Sequence, residues 1–302
     1  MRKILFSFIL TSLCIATTQA QTTTPQDTTY WTTGGKFTFL LNQSAFSNWV
    51  AGGENNVAGN MSFNYDFNYK KADWSWDNKL IASYGLTKTE GSDFTKKTDD
   101  RFELNSLLGK KASVNWYYSV YFNFKTQFDK GYKFSTDADG NEIRTEYTHS
   151  FSPAYLQFGP GALWKKSDNL KVNFAPAALK LVMVDKDFTT IDGYEDGDYF
   201  GVDAGKSIRY ELGASIAAYY KFTAMENVSF ENILNLYSNY LEDPQNVDID
   251  YTLNVVMQIN KYLSTNLAFQ TIYDDNAFKG FQVREVFGVG FNYAFGAAKK
   301  KK

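Results

Sequence analysis

A single histidine, His149, and a single cysteine, Cys14, limit the chemistry open to this chain of 302 residues. A Ser-His-carboxylate hydrolase needs only one histidine. Ser150 and Ser152 stand too close to His149 in sequence to define such a site, and a loop histidine is ordinarily just solvated. A membrane-embedded hydrolase is therefore the remote alternative, and no enzyme is expected. A zinc site asks for more His and Cys than the chain contains. The run 137–142 spaces the oxygen-bearing residues Asp137, Asp139, Asn141 and Glu142 like part of a calcium loop. The full loop pattern is incomplete, so a solvated turn is the first reading and no cofactor is expected. A second acidic stretch, 185–207, sets Asp185, Asp187, Asp192, Glu195, Asp196, Asp198 and Asp203 against Lys186 and Lys206.

Other charges sit where apolar patterning would not place them. Lys79, Lys125, Arg209, Glu211, Lys221, Glu231, Asp250 and Arg284 fall on the polar face of segments whose alternate residues are apolar. The clearest alternation runs from Asn60 to Tyr69. Met61, Phe63, Tyr65, Phe67 and Tyr69 alternate with Asn60, Ser62, Asn64, Asp66 and Asn68. Alternation is the signature of a strand, because successive side chains point to opposite faces. A half-buried soluble strand gives it, and so does a membrane-barrel strand with lipid outside and water inside. In a barrel the eight charged residues face the lumen. Both signs occur, so they either pair across it or line a wet path. No ring of one sign is evident, so no ion selectivity is implied.

The elements that must position these residues read as twelve strands. They run 36–43, 56–70, 74–87, 101–110, 115–128, 153–164, 170–184, 208–222, 228–241, 248–260, 265–273 and 281–295. Within 74–87, Asn78 falls on the oily face and Ile81 on the wet one. Connections after even-numbered segments are short. Those after the odd-numbered ones are longer, above all 129–152 and 185–207. Sorting of loops by length is the outer-membrane barrel pattern, with turns periplasmic and loops outside. Trp74, Trp76, Trp116 and Trp164 flank short turns. They fit an aromatic girdle at the membrane boundary, where the ring is apolar and the N–H wants water. Tyr84, Phe102, Phe124, Tyr240, Tyr251 and Tyr273 lie near the long-loop ends and fit the opposite girdle. The expected fold is all-β: a transmembrane antiparallel up-and-down barrel of about twelve strands.

The ends of the chain agree. Arg2 and Lys3, the apolar run 4–16 and Thr18-Gln19-Ala20 read as a cleaved secretory signal over 1–20. Cys14 lies inside it, so the mature chain carries no thiol and no disulfide. Residues 21–34 read as a periplasmic linker, 35–295 as the barrel and 296–302 as a basic periplasmic tail. The last strand places Gly290, Tyr293 and Phe295 much as a terminal signal for barrel-assembly machinery does. Basic and acidic residues nearly balance, at 31 and 33, which gives no footing for nucleic acid. The partners expected are outer-membrane lipid, the assembly machinery during biogenesis and other outer-membrane proteins.

The stretch 41–56, LNQSAFSNWVAGGENN, is the most unusual, with Asn48, Trp49, Gly52 and Gly53 at its centre. Together with the run Trp74 to Leu80 and Tyr84-Gly85, it resembles an uncharacterised family of Bacteroidota outer-membrane β-barrel proteins that carries a domain-of-unknown-function label. The resemblance implies an outer-membrane barrel and supplies no activity or catalytic residues. Two functions stand open: a small passive channel for polar solutes, or a non-conducting structural or accessory subunit of a larger outer-membrane complex.

Overall fold

A computed structural model describes residues 30–47 and 54–296. The expected signal, the loop residues Asn48, Trp49, Gly52 and Gly53, and the Lys299–Lys302 tail lie outside the described residues.

The alternating segments form strands that pair in one continuous antiparallel wall. In chain order they are β1 (Trp31–Ser44), β2 (Asn56–Lys71), β3 (Trp74–Thr89), β4 (Lys96–Lys111) and β5 (Trp116–Thr126). After a long excursion come β8 (Ala154–Ser167), β9 (Leu170–Met183), β10 (Ile208–Met225) and β11 (Val228–Asn239). The wall ends with β12 (Val247–Gln258), β13 (Leu263–Asp274) and β14 (Phe278–Phe295). Each pairs with its chain neighbour, β5 pairs with β8, and β14 returns to β1, so the barrel is closed. Closure is what hydrocarbon demands, since an open edge would leave backbone N–H and C=O groups without partners. The excursion holds a separate hairpin, β6 (Gly131–Thr136) and β7 (Glu142–Thr148), that the alternation did not reveal.

The first strand starts earlier than Gly35. Trp31 to Gly34, assigned from sequence to the linker, pair with Tyr69 to Asp66 of β2. Thr32, Thr33, Gly34 and Gly35 interrupt the apolar alternation, which hid the strand. The gap is filled from a neighbour. The Phe295 ring lies where a Gly35 side chain would be, 2.3 Å from an ideal Cβ, and stacks near Phe63 and Tyr65. Trp31 joins the aromatic belt, with its ring 5.8 Å from Trp76 and 5.2 Å from Tyr69.

The outer wall is apolar and open to its surroundings. Phe37, Phe39, Leu41, Met61, Val120, Phe174, Leu212, Val283, Phe287 and Val289 are all exposed there. Trp74, Trp76 and Trp116 are exposed near the short turns, and Trp164 is half-buried opposite Trp116. Polar groups on this face are satisfied locally. Asn78, which the sequence placed on the oily face, is buried. It donates to the Phe67 carbonyl (2.9 Å) and accepts from Ser106 (2.8 Å), which accepts from Trp76 Nε1 (2.7 Å).

One irregularity shifts the inward face. The β8–β9 ladder breaks between Phe158 and Ala162, and the β9–β10 register slips between Gly213 and Ser215. Pro160 and Pro176 sit there, and proline in a sheet belongs at such bulges because it cannot donate to the ladder. Tyr240 donates to the Pro176 carbonyl at 3.0 Å, giving that acceptor at the bulge a partner. As a result β9 turns Lys171, Asn173 and Ala175 inward, and then Ala178, Lys180 and Val182.

Candidate functional site: the barrel lumen

The inward faces form two tiers of charge separated by amides and apolar side chains. In the tier nearer the short turns, Asp77 of β3 accepts from Lys165 of β8 at 2.9 and 3.0 Å and from Lys171 of β9 at 2.8 Å. Lys79, two residues on, lies 3.0 Å from Glu231 of β11 and 3.6 Å from Asp66 of β2. Tyr219 and Asn254 also donate to the Glu231 carboxylate, at 2.9 and 3.1 Å. Strands β3 and β11 are as far apart as two strands of this wall can be. Their meeting brings opposite walls within the length of one side-chain pair. Lys221 is exposed, one inward position closer to the turn than Tyr219.

The tier nearer the long loops is bridged more heavily. Lys125 of β5 pairs with Asp250 of β12, and Gln270 donates to the same carboxylate at 2.9 Å. Arg284 of β14 pairs with Asp99 of β4. Arg101 Nε donates to Glu103 at 2.8 Å, and Asn105 holds the other Glu103 oxygen at 2.7 Å. Lys180 of β9 reaches Asp248 at 2.7 Å and both Glu211 and Asp274 at 3.5 Å. Arg209 sits between Glu242 at 2.7 Å and Glu211 at 3.6 Å. Each of these ions has an opposite charge beside it, which is one condition for burying charge.

Between the tiers lie Asn123 hydrogen-bonded to Asn105 (2.8 Å), Ser119 to Asn173 (2.6 Å), and the buried Ile81 and Leu163. Two lumen cavities flank this waist. One of about 280 Å³ at the turn end is lined by Asn68, Asn105, Asn173, Asn235 and Tyr219 among others. One of about 330 Å³ at the loop end lies between Asp99, Lys125, Tyr155 and Arg284. They share no lining residue.

The long loops cover the loop end. Tyr199 and Val202 from 185–207 pack with Val182 and Val184, and Tyr147 of β7, Tyr155, Phe188 and Phe200 close around them. Tyr199 donates to the Tyr147 carbonyl at 2.7 Å, and burial pushes its phenol up to about 12. The β6–β7 hairpin is tied down near its tip. Glu142 pairs with Lys96 and accepts from Ser92 at 2.8 Å, bonds that pull its carboxyl down to about 2.

Those contacts bear on the oxygen-rich run 137–142, read first as a solvated turn. Asp137 spends its oxygens on the backbone N–H groups of Asp139 and Asn141 and the side chain of Asn141, at 2.8–3.0 Å. Glu142 turns away to Lys96 and Ser92. The segment is a hairpin tip whose Asp137 and Glu142 oxygens have partners within the protein. His149 lies between two carboxylates, with Nδ1 3.0 Å from Glu146 and Nε2 3.2 Å from Asp185. Neither ring nitrogen is left for a serine.

Gly290, Tyr293 and Phe295 lie on β14 where it closes on β1. Gly290 presses against Phe39, whose carbonyl oxygen would be 2.2 Å from an added Cβ, and Phe295 covers Gly35. Sequence reasoning named both sides of Lys79–Glu231, Lys125–Asp250 and Arg209–Glu211, and one side or neither of the other lumen pairs. Asp77, Asp99, Arg101, Glu103, Lys165, Lys171, Lys180, Asp248 and Asp274 were missed as sites. Asp77 and Asp248 share the two-residue parity of the named Lys79 and Asp250, which was the available signal for them. For Lys180 the bulge had removed it.

A family model described as a protein of unknown function (DUF3078) matches residues 41–132. No curated protein matches. Among solved structures, the chain is similar to the translocator domain of the autotransporter NalP from Neisseria meningitidis, at 9% identity and a TM-score of 0.38, covering 97% of this chain and 95% of that one. The beta domain of the Bordetella autotransporter BrkA gives 10% and 0.35, covering 88% and 100%. An outer-membrane channel from Pseudomonas putida F1 gives 10% and 0.36, covering 90% and 99%.

Proposed function

We propose that this chain is an integral outer-membrane barrel whose bore is closed at rest, and that it serves as a structural or accessory subunit of a larger envelope assembly. The observation that carries this reading is the Lys79–Glu231 pair, which joins opposite walls at 3.0 Å while Lys125–Asp250 bridges a second level. The apolar outer wall and its tryptophan belt support the membrane setting. A passive pore would keep a continuous wet path, and the bridging pairs stand across it. Exposed Ile143, Ile191 and Leu241 on the long loops offer apolar footing for a partner.

The second reading is a small channel. It draws on the amide-lined cavity at the turn end, which is of a size and polarity to hold a small polar solute. The test is gentle purification from native membranes through a tag in loop 242–247, with the mass of the product measured. Stoichiometric co-purification of other envelope proteins is expected. A lone barrel that passes ions would overturn the subunit reading in favour of the channel.

A further inference from the structure

The loop-end tier holds more carboxylates than cations. Glu211, Asp248 and Asp274 crowd around Lys180, and Asp275 follows in the β13–β14 turn. The second cation, Arg209, is shared between Glu211 and Glu242. Asp248, Asp274 and Asp275 bring carboxylate oxygens within 4.8 Å of one another, the only such group among the described residues. The β13–β14 turn helps aim them, since the Ala277 N–H donates to Asp274 Oδ1 at 3.2 Å.

Acidic clusters are common without a ligand, but two buried atoms set this one apart. Glu211 is 2% exposed, and its Oε1 accepts no hydrogen bond, the Arg209 Nε standing 3.6 Å away. Tyr237 is 6% exposed, and its hydroxyl has no hydrogen-bond partner either. Its ring lies beside Lys180, with Nζ 5.1 Å from the centroid. A buried polar atom left unmet is costly, so the arrangement around Lys180 has room for a better-satisfied state.

We infer that the loop-end lumen binds one divalent cation through the carboxylates of Asp248, Asp274 and Asp275, and that Ca²⁺ is the ion this all-oxygen set suits. Ca²⁺ accepts carboxylate oxygens in flexible geometry, whereas Mg²⁺ demands a near-ideal octahedron. The ion takes Asp248 from Lys180, and the ammonium turns to the open Glu211 oxygen and the Tyr237 hydroxyl. Both unmet atoms are then satisfied, and the surplus negative charge is balanced. The site ties β12 to the β13–β14 turn at the end facing the outside medium.

The test is calorimetric titration of the full barrel, purified in detergent and stripped with chelator, using CaCl₂ and then MgCl₂. One saturable calcium site per barrel is expected, with magnesium weaker. Asp274→Asn/Asp275→Asn should weaken calcium by about tenfold or more, a change of roughly 1.4 kcal/mol. Asp137→Asn, in the hairpin tip, should leave it unchanged, and Lys180→Gln should tighten it by removing the competing cation. Heat-modifiable gel migration verifies that each variant is a folded barrel. No saturable uptake by the wild type, or equal uptake by the folded double variant, would overturn the site, as would a Lys180→Gln barrel that binds calcium no better.

Discussion

Lys79 and Glu231 are side chains whose positions were legible and whose meeting was not. Their parity on strands of alternating type placed them inward, but nothing local says that β3 and β11 face each other. Their pair is mostly buried, so losing one partner leaves the other charge stranded. Glu231→Gln should lower the stability of the detergent-solubilised barrel in urea titrations by about 3–5 kcal/mol. Lys79→Met/Glu231→Leu should recover most of that loss. A single variant as stable as the wild type would mean that the pair is not formed. At the loop end Glu142 makes a pH-dependent tie. Its folded value of about 2 lies below the ordinary carboxyl value, so its stabilisation is complete above pH ~4.3 and is lost as pH falls through about 2. Amide exchange in 131–148 should therefore accelerate between pH 4 and pH 2, roughly the window those values define, while strands of the barrel wall keep their protection. Uniform exchange through that window would remove Glu142 as the clasp.

At the scale of elements, alternation revealed the twelve wall strands because lipid outside and polar side chains inside impose period two along each. It failed where that rule is relaxed. β1 hid its start because Gly35 leaves a gap that Phe295 fills from the far end of the chain, a contact between ends that no local pattern carries. The β6–β7 hairpin stands outside the wall and need not alternate. The β9 bulge moved Lys180 to the other parity. Two expectations follow from this wall. Gly35→Val should displace the Phe295 ring and loosen the β1–β14 seam, read as a lowered transition temperature for loss of the heat-modifiable barrel. An unchanged transition would mean that Phe295 does not seal the seam. In a chain carrying Cys14→Ser, Lys221→Cys at the exposed turn-end mouth should react with a water-soluble maleimide in membranes. Leu253→Cys on the outer face should not. Equal labelling would contradict the assignment of faces.

For the whole molecule, the sorting of long and short connections announced a barrel before any contact was known. The state of its bore was not announced, because both signs of charge on inward faces serve a wet path and a plug equally well. The proposed closed bore draws on pairs that bridge the lumen at two levels and on long-loop residues that pack at one end. The most direct measurement is single-channel conductance of the wild-type barrel in a planar bilayer, beside Lys79→Ala/Glu231→Ala/Lys125→Ala/Asp250→Ala, which strips both bridges. A silent wild type and a conducting quadruple variant are the result expected of a bore held shut by those pairs. Steady open steps from the wild type, undiminished by time or voltage, would contradict it.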